Sequence, residues 1–134
     1  MDDAELERLL SETESDRVER KASLSDPDKA RQAICAFAND LPDHREAGVL
    51  FVGANDDGTP SGLPITDQLL LNLSAMKADG KIQPIPSLTV QKRRLRQSGI
   101  GIETARRELK NNGNPDPQFE VLNENVLVTV RRAA

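Results

Sequence analysis

The sequence predicts an α+β fold: a small mixed sheet with two or three packed helices, followed by a C-terminal helix and strand. Three observations predict it. Segments with apolar residues at helical spacing alternate along the chain with short β-branched runs. One such run, GVLFVGA at 48–54, is apolar throughout and stops at NDDG, as a buried strand entering a tight turn does. Finally, 134 residues are enough for one compact domain, or for a domain with a small appendage, but not for two full domains.

Taken in order, residues 3–11 carry Leu6, Leu9 and Leu10 at helical spacing, and 17–22 (RVERKA) suit an extended segment. Asp26-Pro27 then supplies a cap and a first-turn proline. Ala30, Ala33, Ile34, Phe37, Ala38 and Leu41 continue from it as one helical stripe. After the 48–54 strand, Thr66 caps an amphipathic helix through Leu69, Leu70, Leu73 and Met76 that stops near Gly80. SLTVQK at 87–92 is strand-like, 102–112 reads as a helix closed by Gly113, and NVLVTVRR at 125–132 reads as a last strand. Val126, Val128 and Val130 share one face of that strand, which is expected to cover an open sheet edge or to stand as an isolated edge strand.

Composition narrows the function. Aromatics make up 2%, only Phe37, Phe51 and Phe119, so the core is aliphatic and there is no aromatic platform on which single-stranded bases could stack. A single cysteine, Cys35, rules out an internal disulfide and suits a reducing compartment; it reads as a small packing residue. His44, alone in the polar LPDHREAG loop, lacks the companions a zinc site needs. No apolar run is long enough to span a membrane and MDDAELERLL is too acidic for a signal peptide, so the expectation is a cytoplasmic protein with no membrane partner. The net charge of −4 is unevenly spread. Residues 1–20 are strongly acidic, whereas 91–110, with Lys92, Arg93, Arg94 and Arg96 at their head, are strongly basic and could neutralise phosphates.

Four motifs stand in order: ESDRVERK (14–21), AICAFAND (33–40), GVLFVGANDDG (48–58) and SGLP (61–64). Together they resemble the Schlafen-type AlbA domain, in which an E-S-x-x-x-E-x-K segment precedes a helix ending in F-A-N, a strand running into a D-D-G turn and a G-L motif. The resemblance implies nucleic-acid binding, and the charge pattern offers Lys21, Lys92, Arg93, Arg94 and Arg96 as phosphate contacts, with a merely solvated basic face as the alternative. It also implies an alternative, a divalent-metal-dependent nuclease, because Schlafen nucleases use an acidic triad and Glu14, Glu19 and Asp57 match its pattern. In that reading Mg2+ or Mn2+ sits among Glu14, Glu19 and Asp57, and Lys21 stabilises the phosphate. Strand period does put Glu19 and Lys21 on one face, while Glu14 has the opposite parity and must approach from a turn. The structural alternative is plain: Glu19 and Lys21 as a surface pair, and Asp56-Asp57-Gly58 as a hairpin turn.

Beyond Arg93 the resemblance changes. Residues 98–132 are similar to the C-terminal end of a histidine-kinase-like ATPase domain, with Gly99 and Gly101 opening a helix as a phosphate-binding turn would. The expected division is therefore an AlbA-type domain at 1–95, short of its final strands, and an ATPase-derived remnant at 96–134. ATP binding is expected only in longer relatives, and this chain is expected to need no cofactor unless the nuclease reading holds. A third reading is a non-catalytic remnant that self-assembles, as a homodimer, through exposed strand edges.

Overall fold

A computed structural model of the chain describes residues 2–12, 15, 17–39, 46–78, 82, 87–97 and 121–131. The first helix, α1 (Asp3–Ser11), starts at Asp2, whose carboxylate accepts from the Glu5 amide at 2.8 Å. An aspartate there occupies one of the open amides of a helix start and sits at the positive end of its dipole. Strand β1 (Val18–Lys21) leads to α2 (Pro27–Asn39), which opens on its proline, a residue with no amide to leave unpaired. Strand β2 (Gly48–Val52) is buried at every position. Helix α3 (Asp67–Ala75) is capped by Thr66, whose hydroxyl accepts from the Leu69 amide at 3.1 Å. Two long strands follow, β3 (Ser87–Gln97) and β4 (Val121–Arg131).

The four strands form one mixed sheet in the order β1-β2-β4-β3, with β1 and β2 parallel and the other pairs antiparallel. With three helices among the described residues, the fold is the small α+β architecture the sequence predicts. Strand period divides the core in two. On one face Leu6, Leu9 and Leu10 of α1 pack on Val18, Val49, Phe51, Leu95 and Leu127. On the other, α2 and α3 cover Leu50, Val52, Val126, Val128 and Val130, and Cys35 packs half-buried at the margin of this cluster. Gly48 lies beneath the Phe37 ring, where an added methyl group would overlap the ring carbons. Glycine is needed at Gly48 to bring α2 close to β2.

Two strands differ from their sequence reading. The strand expected at 87–92 runs on to Gln97, because Lys92, Arg94 and Arg96 alternate with Leu95 and the pattern keeps period 2 through the charges. The last strand starts at Val121 and is neither a cover for an edge nor an isolated edge strand. It is central, hydrogen-bonded to β2 on one side and β3 on the other, with Val126, Val128 and Val130 turned to one face as expected. The helix expected at 102–112, together with His44, Gly99 and Gly101, lies outside the described residues. No helix among the described residues is long and apolar enough to cross a membrane.

Candidate nucleic-acid interface

Strand β2 pairs with β4 from Gly48 opposite Val130 to Val52 opposite Val126. Beyond that point β3 and β4 continue as a two-stranded ribbon, from Arg93 opposite Asn125 to Gln97 opposite Val121. Five residue pairs at strand rise make it about 17 Å long. Alternation sends Arg93 and Leu95 to one face and Arg94 and Arg96 to the other, which Lys92 joins from the base of the ribbon, opposite Val126.

The first face belongs to α1. Leu95 is fully buried among the α1 leucines, Arg93 Nη1 donates to Asp3 Oδ1 at 2.9 Å, and the Arg96 amide donates to Glu7 Oε1 at 3.0 Å. The acidic N-terminal segment therefore lies against the basic one on this side only. The second face presents Lys92, Arg94 and Arg96 exposed at intervals of about 7 Å, with none of the three in an ion pair among the described residues. Glu124, opposite Arg94, is the one acid in the described part of this ribbon face. Three cations in a row on one face attract a polyanion over several ångströms.

The remaining predicted residues are placed elsewhere. Lys21 stands on β1, at the other edge of the sheet from β3, and its Nζ donates to Glu19 Oε1 at 3.0 Å with both side chains half-buried. Val18 and Arg20 of the same strand turn toward α1, so Glu19 and Lys21 point to the opposite face. Asp57 lies on the Arg20 side, where it forms a turn: its Oδ1 accepts from the Thr59 hydroxyl at 2.6 Å and the Thr59 amide at 2.9 Å. The Thr59 hydroxyl first, then the amide, and to a smaller degree the charge of Arg20 hold the Asp57 carboxyl below its ordinary range. The structure thus brings Glu19 to Lys21 but does not bring Glu19 to Asp57. Glu14 lies outside the described residues, and among those described no three acidic, histidine or cysteine side chains are grouped to hold a metal ion.

One residue that sequence reasoning passed over organises this region. Arg20 is 2% exposed. Its guanidinium donates to the carbonyls of Leu9 (3.2 Å), Leu10 (2.8 and 3.1 Å), Asp56 (3.4 Å) and Glu12. A helix end leaves its last carbonyls unpaired and carries partial negative charge, so a cation there caps α1 on both counts. The NDDG turn packs on the Leu10 carbonyl. Gly58 has φ of +86°, and a Cβ on it would stand 2.6 Å from the Leu10 oxygen, so only glycine fits the turn there. Asp57, Gly58 and Arg20 lock α1 against the end of β2. The only sequence signal for Arg20 was its strand parity with Val18.

No curated protein and no solved structure matches the chain. A family model described as Schlafen, AlbA_2 matches residues 14–126, from the segment before β1 into the middle of β4, and is consistent with a nucleic-acid-binding module. Because the match covers most of the chain and takes in each of the four sequence motifs, this protein belongs to the Schlafen, AlbA_2 family.

Proposed function

We propose that the chain is a nucleic-acid-binding module, with DNA as its expected target, that holds the phosphate backbone through Lys92, Arg94 and Arg96. The observation that carries this reading is the row of three exposed cations on one face of the β3–β4 ribbon. Such contacts position a polyanion and do not read bases, so binding is sequence-tolerant and salt-sensitive. A two-stranded ribbon is narrow enough to enter a major groove, which gives the stripe a route to phosphates on either side. Lys21, across the sheet and paired with Glu19, is a lesser contact, and Arg93 contributes mainly through its pair with Asp3.

The alternative, a metal-dependent nuclease built on Glu14, Glu19 and Asp57, gains no support from the described geometry. Glu19 and Asp57 leave β1 and its neighbouring turn on opposite faces, and Lys21 already compensates Glu19. Self-assembly through β1 or β3, the outer strands of the described sheet, is a third proposal, as is an ATPase-like origin for residues 96–134 with Gly99 and Gly101 as its remnant. Titrating a labelled duplex with and without EDTA separates the first two. Metal-independent binding weakened by Arg94→Glu with Arg96→Glu supports the module. Divalent-dependent binding with strand cleavage, abolished by Glu19→Gln, would replace it with the enzyme.

A further inference from the structure

We propose that a polar hollow on the α1 side of the sheet, on the face opposite the Lys92 stripe, is a binding site for a phosphate-type oxyanion. The hollow measures about 100 Å3 and is lined by Leu6, Thr89, Gln91, Arg93, Thr129 and Arg131. Strand register explains why these side chains meet. Thr89 stands directly opposite Thr129, Arg131 follows two residues along β4, and Gln91 and Arg93 follow along β3, so all five project from one face. α1 is too short to cover that end of the face, and its Leu6 forms the apolar wall.

The chemistry of the lining selects an anion. It offers two guanidiniums, two hydroxyls and a carboxamide, with no carboxylate among the lining residues. Arg93 is held in place by Gln91 Oε1, which accepts from its Nε at 3.1 Å, and by Asp3 Oδ1 at 2.9 Å, so much of its charge is compensated. That bond leaves the Gln91 amide nitrogen as a donor. Arg131 makes no ion pair among the described residues. Its fork, the two threonine hydroxyls and the Gln91 amide are the donors that the several acceptor oxygens of a tetrahedral oxyanion require. The space suits a single such group, since each water in bulk liquid takes about 30 Å3. The site stands independently of the nucleic-acid reading, because none of the three stripe side chains lines it.

The test uses inorganic phosphate and the full chain at low ionic strength, followed by nuclear magnetic resonance shifts of β3 and β4. Saturable binding is expected, with sulfate competing and chloride not. Arg131→Ala, a change at an exposed position whose folding is checked by its melting curve, should weaken phosphate on the order of ten-fold, the value of a charge-assisted contact. Thr129→Val should weaken it by a smaller factor. Asp3→Asn should tighten it, because it removes the carboxylate that compensates Arg93, an outcome a purely structural role for these residues does not produce. Arg94→Glu should leave phosphate binding unchanged whether or not it affects DNA. A duplex titration of Arg131→Ala names the source: weakened binding assigns the oxyanion to a backbone phosphate, and unchanged binding assigns it to a small phosphorylated molecule. Shifts that do not saturate, or phosphate affinity that is the same in Arg131→Ala and the parent, would overturn the proposal.

Discussion

Replacing Arg20 with methionine keeps much of the buried aliphatic stem and removes every donor. In the parent Arg20 is 2% exposed and its guanidinium reaches the carbonyls of Leu9, Leu10, Glu12 and Asp56. Methionine takes the guanidinium donors from the buried Leu10 carbonyl, while the Leu9 carbonyl still accepts from the Glu12 amide at 3.3 Å. Each buried polar group so orphaned costs about 1–3 kcal/mol. The desolvation penalty of the cation itself disappears in the variant and offsets part of that loss. A net loss of about 2 kcal/mol follows, against a stability of about 5–15 kcal/mol for a typical domain. In thermal terms this lowers the melting midpoint by roughly 7 °C. Because the chain has no Trp or Tyr, far-ultraviolet circular dichroism under urea or heat is the suitable probe. Arg20→Lys, with one compact ammonium in place of a planar fork, should recover only part of the loss. Arg94→Met, an exposed change on the ribbon, should stay within about 0.5 kcal/mol of the parent. If Arg20→Met melts with the parent, the α1 carbonyls find other donors and the account of how α1 is anchored is wrong.

Other expectations follow from the same geometry. Gly48→Ala drives a methyl group into the Phe37 ring and should cost about 1–3 kcal/mol by urea titration, while Gly62→Ala, with nothing near its added carbon, should be destabilised only by the strain of alanine at a positive φ. The Asp57 carboxyl is held below its ordinary value, so it stabilises the fold above about pH 4 and that contribution disappears as pH falls through the lowered value. Asp57→Asn should accordingly flatten the acid limb of the stability curve, and an unchanged acid limb would contradict the turn's role. Calorimetry with Mg-ATP should show no site tighter than millimolar. A micromolar site would mean that residues 96–134 retain more of an ATPase-like function than the proposal grants.

How much of this was legible in the sequence depends on what each residue contacts. The α2 stripe, the apolar β2 run and the Thr66 cap announce themselves, because their partners are a core or their own helix amides. The extension of β3 through Arg93–Gln97 did not, since charged residues at strand positions carry little intrinsic preference and pairing with Val121–Asn125 decides the matter. For the same reason the start of β4, in EVLNENV, was missed by several residues. Arg20 drew no reading of its own, because its partners are backbone carbonyls, which leave no mark in a sequence. At the candidate site, Lys92, Arg94 and Arg96 were legible as charge. That Arg93 faces the other way, against Asp3, needed the register.

The salt dependence of duplex binding tests the central claim most directly. If Lys92, Arg94 and Arg96 each neutralise one phosphate, the logarithm of the association constant should fall against the logarithm of salt concentration with a slope of about −2.7. Affinity would then drop roughly 40-fold between about 50 and 200 mM salt, to a similar extent for unrelated sequences. The variant Lys92→Gln, Arg94→Gln, Arg96→Gln should bind weakly with a slope near zero. An unchanged slope and affinity in that variant would contradict the account, because the polyanion would then be held somewhere other than the exposed face of the β3–β4 ribbon.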